Sequence, residues 1–195
     1  MIRLLLWILG AILLGGIVHL STVLAMPQTA KQDAYSRLAP LTPVNAVALL
    51  PPPTAKASLM PFMDPAFAVA VCRYDISSGP LKFKAPVSQA YTSVTFYTRK
   101  SVAYYAINDR AAGRRSIELD LMTAEQHAQL PAEEDVTAAD RLIIDSPTTT
   151  GLIVMKALAA EPGLMPQAQA SLATASCKVQ TEPAPKQAEA PPAKR

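Results

Sequence analysis

Residues 67–76 read FAVAVCRYDI, and after Ser77-Ser78-Gly79-Pro80 the next apolar run, residues 81–85, reads LKFKA. The first segment follows Asp64-Pro65, is dense in β-formers and has strand length. The second alternates, with Leu81 and Phe83 on one face and Lys82 and Lys84 on the other, as a half-buried strand does. The four polar, Gly- and Pro-containing residues between them are a turn.

The same texture continues downstream. Tyr91–Thr98 (YTSVTFYT) is β-branched and aromatic, and Val102–Ile107 (VAYYAI) follows a short connection centred on Arg99, Lys100 and Ser101, which predicts a hairpin. Ser116–Met122 (SIELDLM) places Ile117, Leu119 and Leu121 inward. Thr123 with Gln126 forms a capping box that opens a short helix, AEQHAQL. An acidic loop, Glu133-Glu134-Asp135, leads to strands at 141–144 and 151–158, joined by the polar turn 146–151. Residues 164–177 predict a closing helix, with Pro166 tolerated in its first turn. Strand signals at about ten-residue spacing, with no strand–helix–strand rhythm, predict an α+β, mostly β domain. The expected form is an antiparallel β-sandwich or curled sheet with two short helices.

Upstream, Leu4–Met26 (LLLWILGAILLGGIVHLSTVLAM) carries no Asp, Glu, Lys or Arg. About 23 helical residues at roughly 1.5 Å each cover about 35 Å, enough to cross a bilayer core. Residues 1–26 therefore read as one transmembrane anchor that contacts membrane lipid through residues 4–26. The alternative is a signal peptide cleaved after Ala25; the length of the run and its large residues favour the anchor. Gly10, Gly15 and Gly16 suit a membrane helix, and Trp7 an interfacial position. His19 lies near one end of the span, with no carboxylate partner in it. Arg3 before the helix and Lys31 and Arg37 after it nearly balance. The short Arg3-bearing tail favours a cytoplasmic N-terminus and an extracytoplasmic domain. Residues 27–60, rich in Pro and Ala, read as a stalk with a short helix near 31–38, after which the prolines forbid a regular element. Residues 61–177 form the β-rich domain, and 178–195 read as a disordered tail.

The formal net charge is +3, from 18 basic and 15 acidic residues, without a basic block of the kind that tracks phosphates; nucleic acid is not an expected partner. Cys72 and Cys177 are the 2 cysteines. They read either as one disulfide in an oxidising compartment, closing a loop of about 100 residues with an effect of up to roughly 4–5 kcal/mol, or as two separate buried thiols.

Catalytic signatures do not stand out. His127 reads as a lone surface histidine, and no CxxC, HExxH, GxSxG or GxGxxG spacing occurs, so no metal and no cofactor are expected. The polar groups that could bind a ligand are Asp64 before the first strand, Arg73 and Asp75 sharing one face of it, and Asp109 and Arg110 after the fourth. The competing reading makes these turn caps and surface ion pairs.

Three stretches, Asp64–Pro86 (DPAFAVAVCRYDISSGPLKFKAP), Phe96–Ala112 (FYTRKSVAYYAINDRAA) and Ser146–Gly163 (SPTTTGLIVMKALAAEPG), resemble the bacterial domain-of-unknown-function 1254 family. Its short members carry one N-terminal membrane helix. The resemblance implies a β-rich, membrane-anchored protein of the bacterial envelope and brings no reaction with it. The expected function is a non-enzymatic binding or accessory module facing the periplasm from the inner membrane. The alternative is a small envelope enzyme using carboxylates such as Asp64, Asp75 or Asp109.

Overall fold

The computed structural model describes residues 1–29, 33–54, 56–88, 90–112, 116–130 and 142–180, with only the backbone for 27–29 and 112. Helix α1 (Ile2–Thr29) opens the chain; its stretch Ile2–Met26 is exposed throughout and is long and apolar enough to cross a membrane. Helix α2 (Ala34–Leu38) begins five residues after Thr29, with Asp33 as N-cap accepting from Ser36 N–H at 2.7 Å.

Two sheets follow. The first contains β1 (Val47–Leu49), β2 (Phe67–Asp75), β8 (Thr150–Leu158), β4 (Thr92–Thr98) and β5 (Ala103–Asn108), in that order and antiparallel throughout. The second contains β7 (Leu142–Ser146), β6 (Ser116–Thr123), β3 (Leu81–Pro86) and β9 (Ser176–Val179). Only the β6–β7 pair in it is parallel. Among the described residues the remaining elements are α3 (Asp109–Ala112), α4 (Ala124–Ala128), a short 3-10 turn (Pro162–Leu164) and α5 (Met165–Ala173). The chain is α+β and mostly β, as its alternation predicts.

The side-chain period of two explains how the layers stack. From β2, Ala68, Ala70, Cys72 and Tyr74, with Ile76 just beyond it, point inward and meet Leu81, Phe83, Ile117, Leu119 and Leu121 of the second sheet. Phe96 of β4 packs edge-on against Phe83 and Tyr105, with centroids 5.9 Å apart in each pair. The opposite face of β2, carrying Val69 and Val71, is also buried, beneath Tyr35, Leu38 and Leu50. That is why residues 67–72 read as an unbroken apolar run: both faces of this strand are covered.

Three expectations change. First, prolines do not exclude a regular element after α2. Val47–Leu49 fits between Pro43 and Pro51 as a three-residue edge strand, where prolines outside the ladder cost no hydrogen bond. Asn45, at φ 57°, makes the turn into it, and its side-chain amide exchanges two hydrogen bonds with the Asp75 backbone, at 2.8 and 2.9 Å. Much of the expected stalk is therefore packed on the sheet. Second, the closing helix stops at Ala173, and Ser176–Val179 pairs with β3 as a strand. Third, Lys178 and Val179 accordingly belong to the sheet rather than to a tail. Residues 181–195, the acidic loop 133–135 and Arg141 lie outside the described residues.

Cys72 on β2 and Cys177 on β9 form a disulfide with Cα atoms 6.5 Å apart, so it joins the two sheets rather than a strand and a helix. Thr123 caps α4 through the complete capping box with Gln126, whose side chain also donates to the Ile76 carbonyl at 2.8 Å.

Candidate functional site

The polar residues singled out in the sequence are dispersed and mostly occupied. Asp64 is exposed and accepts from Ala66 N–H at 2.9 Å, an Asx turn that opens β2. Asp75 caps the next turn, accepting from Ser77 N–H at 3.0 Å, and the hydrogen bonds from Ser77 hold its carboxyl below the ordinary value. Arg73 turns away from Asp75: its guanidinium lies 4.2 Å from the Tyr35 ring centroid and donates to the Thr42 carbonyl at 3.1 Å. Asp109 is half-buried at the start of α3, with Oδ1 buried and without a hydrogen-bond partner among the described residues, while Arg110 is exposed. Asp64 and Asp109 flank the same end of the first sheet, but β2 and β5 are three strand spacings apart, about 14 Å. Asp75 is at the other end of β2, nine residues long, roughly 27 Å away. No cluster of three or more His, Cys, Asp or Glu side chains exists among the described residues. His127 pairs through Nδ1 with Asp145 at 2.9 Å.

Two concave regions remain. A broad hollow of about 790 Å³ lies between β5 and the second sheet, with Tyr105, Ile107 and Leu119 in its wall and the Lys84–Glu118 ion pair (2.7 Å) at its rim. Its lining residues Ala111, Ser116 and Leu142 adjoin segments 113–115 and 131–141, which lie outside the described residues.

The second hollow, about 310 Å³, is the candidate site. It lies on the outer face of the first sheet, floored by Val69, Val71, Leu152 and Val154, with α2 on one side and the loop Met60–Met63 on another. Its construction follows from two local features. Tyr35 is sandwiched between guanidinium groups: Arg73 from β2 and Arg99 from the β4–β5 turn each lie 4.2 Å from its ring centroid. Each such contact is worth about 0.5–2 kcal/mol and together they clamp α2 to the sheet. Arg99 also reaches Asp33 Oδ2 at 3.5 Å. Burial raises the Asp33 carboxyl, but the Ser36 hydrogen bonds and Arg99 outweigh it and hold the group below its ordinary value.

The second feature is the loop itself. Ser58 Oγ donates to the Met60 carbonyl, Phe62 adopts φ 59°, and the Phe62 side chain is fully exposed. A left-handed conformation costs a bulky L-residue about 1–2 kcal/mol, and here it directs a large aromatic ring into solvent. Of the five polar residues named from sequence, only Asp64 lines this hollow; Arg73 supports it from behind through Tyr35. Met60, Phe62, Tyr35 and Arg99 carried no motif. The unbroken apolar run of β2 was the signal that something covers its outer face, and MPFM was the apolar cluster nearest to it.

With this geometry in view, the comparisons with known proteins place the chain. The family described as "Protein of unknown function (DUF1254)" matches residues 44–178, from the bridge before β1 through β9. The chain belongs to the DUF1254 family. The DUF1254 region thus starts inside the segment that packs on the first sheet and includes both cysteines. Among curated proteins, none matches the chain. The VPA0106 protein of Vibrio parahaemolyticus shares its fold, with TM-score 0.55 at 10% identity over 75% of this chain and 34% of that one. An uncharacterised protein from Burkholderia cenocepacia aligns at TM-score 0.46 and 14% identity, over 85% of this chain and 48% of its own. The chain spans between a third and a half of the length of these structures.

Proposed function

We propose that this DUF1254 protein is held in the bacterial inner membrane by α1 and presents its β domain on the extracytoplasmic side as a non-enzymatic binding or accessory module. The observation that carries the reading is the fate of the charged side chains. Asp64 and Asp75 cap turns and Arg73 stacks on Tyr35, while the hollow on the outer face is walled by apolar groups. Few polar groups converge there, so it suits recognition of an apolar surface better than acid–base chemistry. The side of the membrane is supported by the disulfide, which persists in oxidising compartments, and by Arg3 at the N-terminal end of α1.

One observation favours the alternative of a small envelope enzyme: the buried Oδ1 of Asp109, which has no hydrogen-bond partner among the described residues. The full chain in detergent, offered a broad panel of ester, phosphoester, glycoside and peptide substrates, is expected to give no turnover above a heat-denatured control. Turnover that disappears in Asp109→Asn, with the disulfide still formed, would overturn the binding reading in favour of the enzyme.

A further inference from the structure

The outer-face hollow has an exposed aromatic loop on its rim, and the chain restricts where that rim can be. Ala34, which lines the hollow, is five residues beyond Thr29, the end of α1. Five residues span at most about 18 Å even when fully extended. If Ile2–Met26 crosses a bilayer, the last three residues of α1 add about 4.5 Å, and the wall of the hollow formed by α2 is held within about 23 Å of the membrane interface. Beside it are Met60, Pro61, Phe62 and Met63, with Phe62 fully exposed in the left-handed conformation. Lys156 and Asp64 line the hollow; exposed Arg37 on α2, next to Leu38 of its wall, and Lys100, next to Ser101 of its wall, add two cations, and Arg99 is balanced by Asp33. An exposed phenylalanine and proline, set between two half-buried methionines and bordered by cations, make the composition of an interfacial membrane contact.

We propose that the Met60–Met63 loop docks on the bilayer that α1 crosses, with Phe62 entering the boundary between headgroups and acyl chains and the basic rim facing anionic phospholipid headgroups. The domain then lies against the membrane on the outer face of its first sheet, and the opposite sheet points away from it. This inference rests on the membrane-anchored reading, and the test separates the two.

Trp7 is the chain's 1 tryptophan and lies in α1. The full chain is reconstituted into phosphatidylcholine–phosphatidylglycerol vesicles with lipids brominated near the top of the acyl chain, both as the parent and as the double variant Trp7→Phe, Phe62→Trp. Protection of both cysteines from maleimide until reduction verifies that the variant is folded. The expected result is that the parent indole is quenched, and that the indole at position 62 is blue-shifted and also loses most of its emission to bromolipid. A quenched parent indole with a position-62 indole open to aqueous iodide would overturn the docking and leave the anchor standing. An indole at 62 shielded from iodide yet untouched by bromolipid would assign the hollow to a protein surface and equally overturn lipid docking. Failure of the parent indole to be quenched would overturn the anchor itself and the docking with it.

Discussion

Gly151 has no room for a side chain: a Cβ there would collide with the Tyr97 carbonyl oxygen and with the Tyr74 hydroxyl. Tyr74 is its cross-strand partner and is fully buried. The Tyr74 ring passes over the glycine so that its hydroxyl can meet Tyr104 and Ser146, each at 3.0 Å. These three hydroxyls tie the first sheet to β7 of the second. Gly151→Ala is therefore expected to destabilise the fold by about 1–3 kcal/mol, read as a lowered urea midpoint. Tyr74→Phe should cost about 1–2 kcal/mol by leaving buried hydroxyls short of a partner. The network has a pH signature as well. Burial, with a smaller contribution from neighbouring Tyr74, pushes the Tyr104 hydroxyl well above the ordinary tyrosine value of 10.0. Its neutral form is favoured by folding, so this contribution is fully present below about pH 10 and declines as the pH rises beyond it, where only the unfolded chain ionises. Urea midpoints across that range should fall less steeply in Tyr104→Phe than in the parent.

At the scale of elements, the telling contrast is between β2 and its neighbours. Strands β3 and β6 follow a clean alternation because one face is solvated: Lys82 and Lys84 lie opposite Asp120 and Glu118. Their positions were legible from sequence for that reason. β2 was legible as a strand, but its run of apolar residues on both faces also implied a cover, and the cover comes from a Pro- and Ala-rich segment without periodicity. Strands as short as β1 and β9 span too few residues to show a period of two, and proline flanks the first of them. The candidate ligand residues were hard to read for a related reason: Asp64, Asp75 and Arg73 have residue types that serve turns and ring stacking as well as ligands, and only packing shows the first two uses. Tyr35→Ala should release α2 from its two arginines and expose Val69 and Val71, at a cost of about 3 kcal/mol, whereas Tyr35→Phe keeps the ring and most of the stability. Thermal denaturation of the two variants compares them directly. Thr123→Ala, which removes the α4 cap, should lower stability by about 1 kcal/mol in the same assay.

At the scale of the whole molecule, a helix able to span a membrane, a two-sheet domain a few residues beyond it and a disulfide between the sheets support the proposal of an anchored domain in an oxidising compartment. The disulfide closes a separation of 105 residues, and its removal is expected to cost about 2–5 kcal/mol. Thiol accounting in intact bacterial cells tests the account most directly. Cells are quenched with acid, the protein is denatured, and a maleimide mass tag is applied to Cys72 and Cys177 before and after reduction, in membrane and soluble fractions. The account predicts membrane-bound protein whose two thiols take up tag only after reduction. Two thiols tagged without reduction would contradict it, removing the disulfide in the cell and returning the domain to the cytoplasmic side.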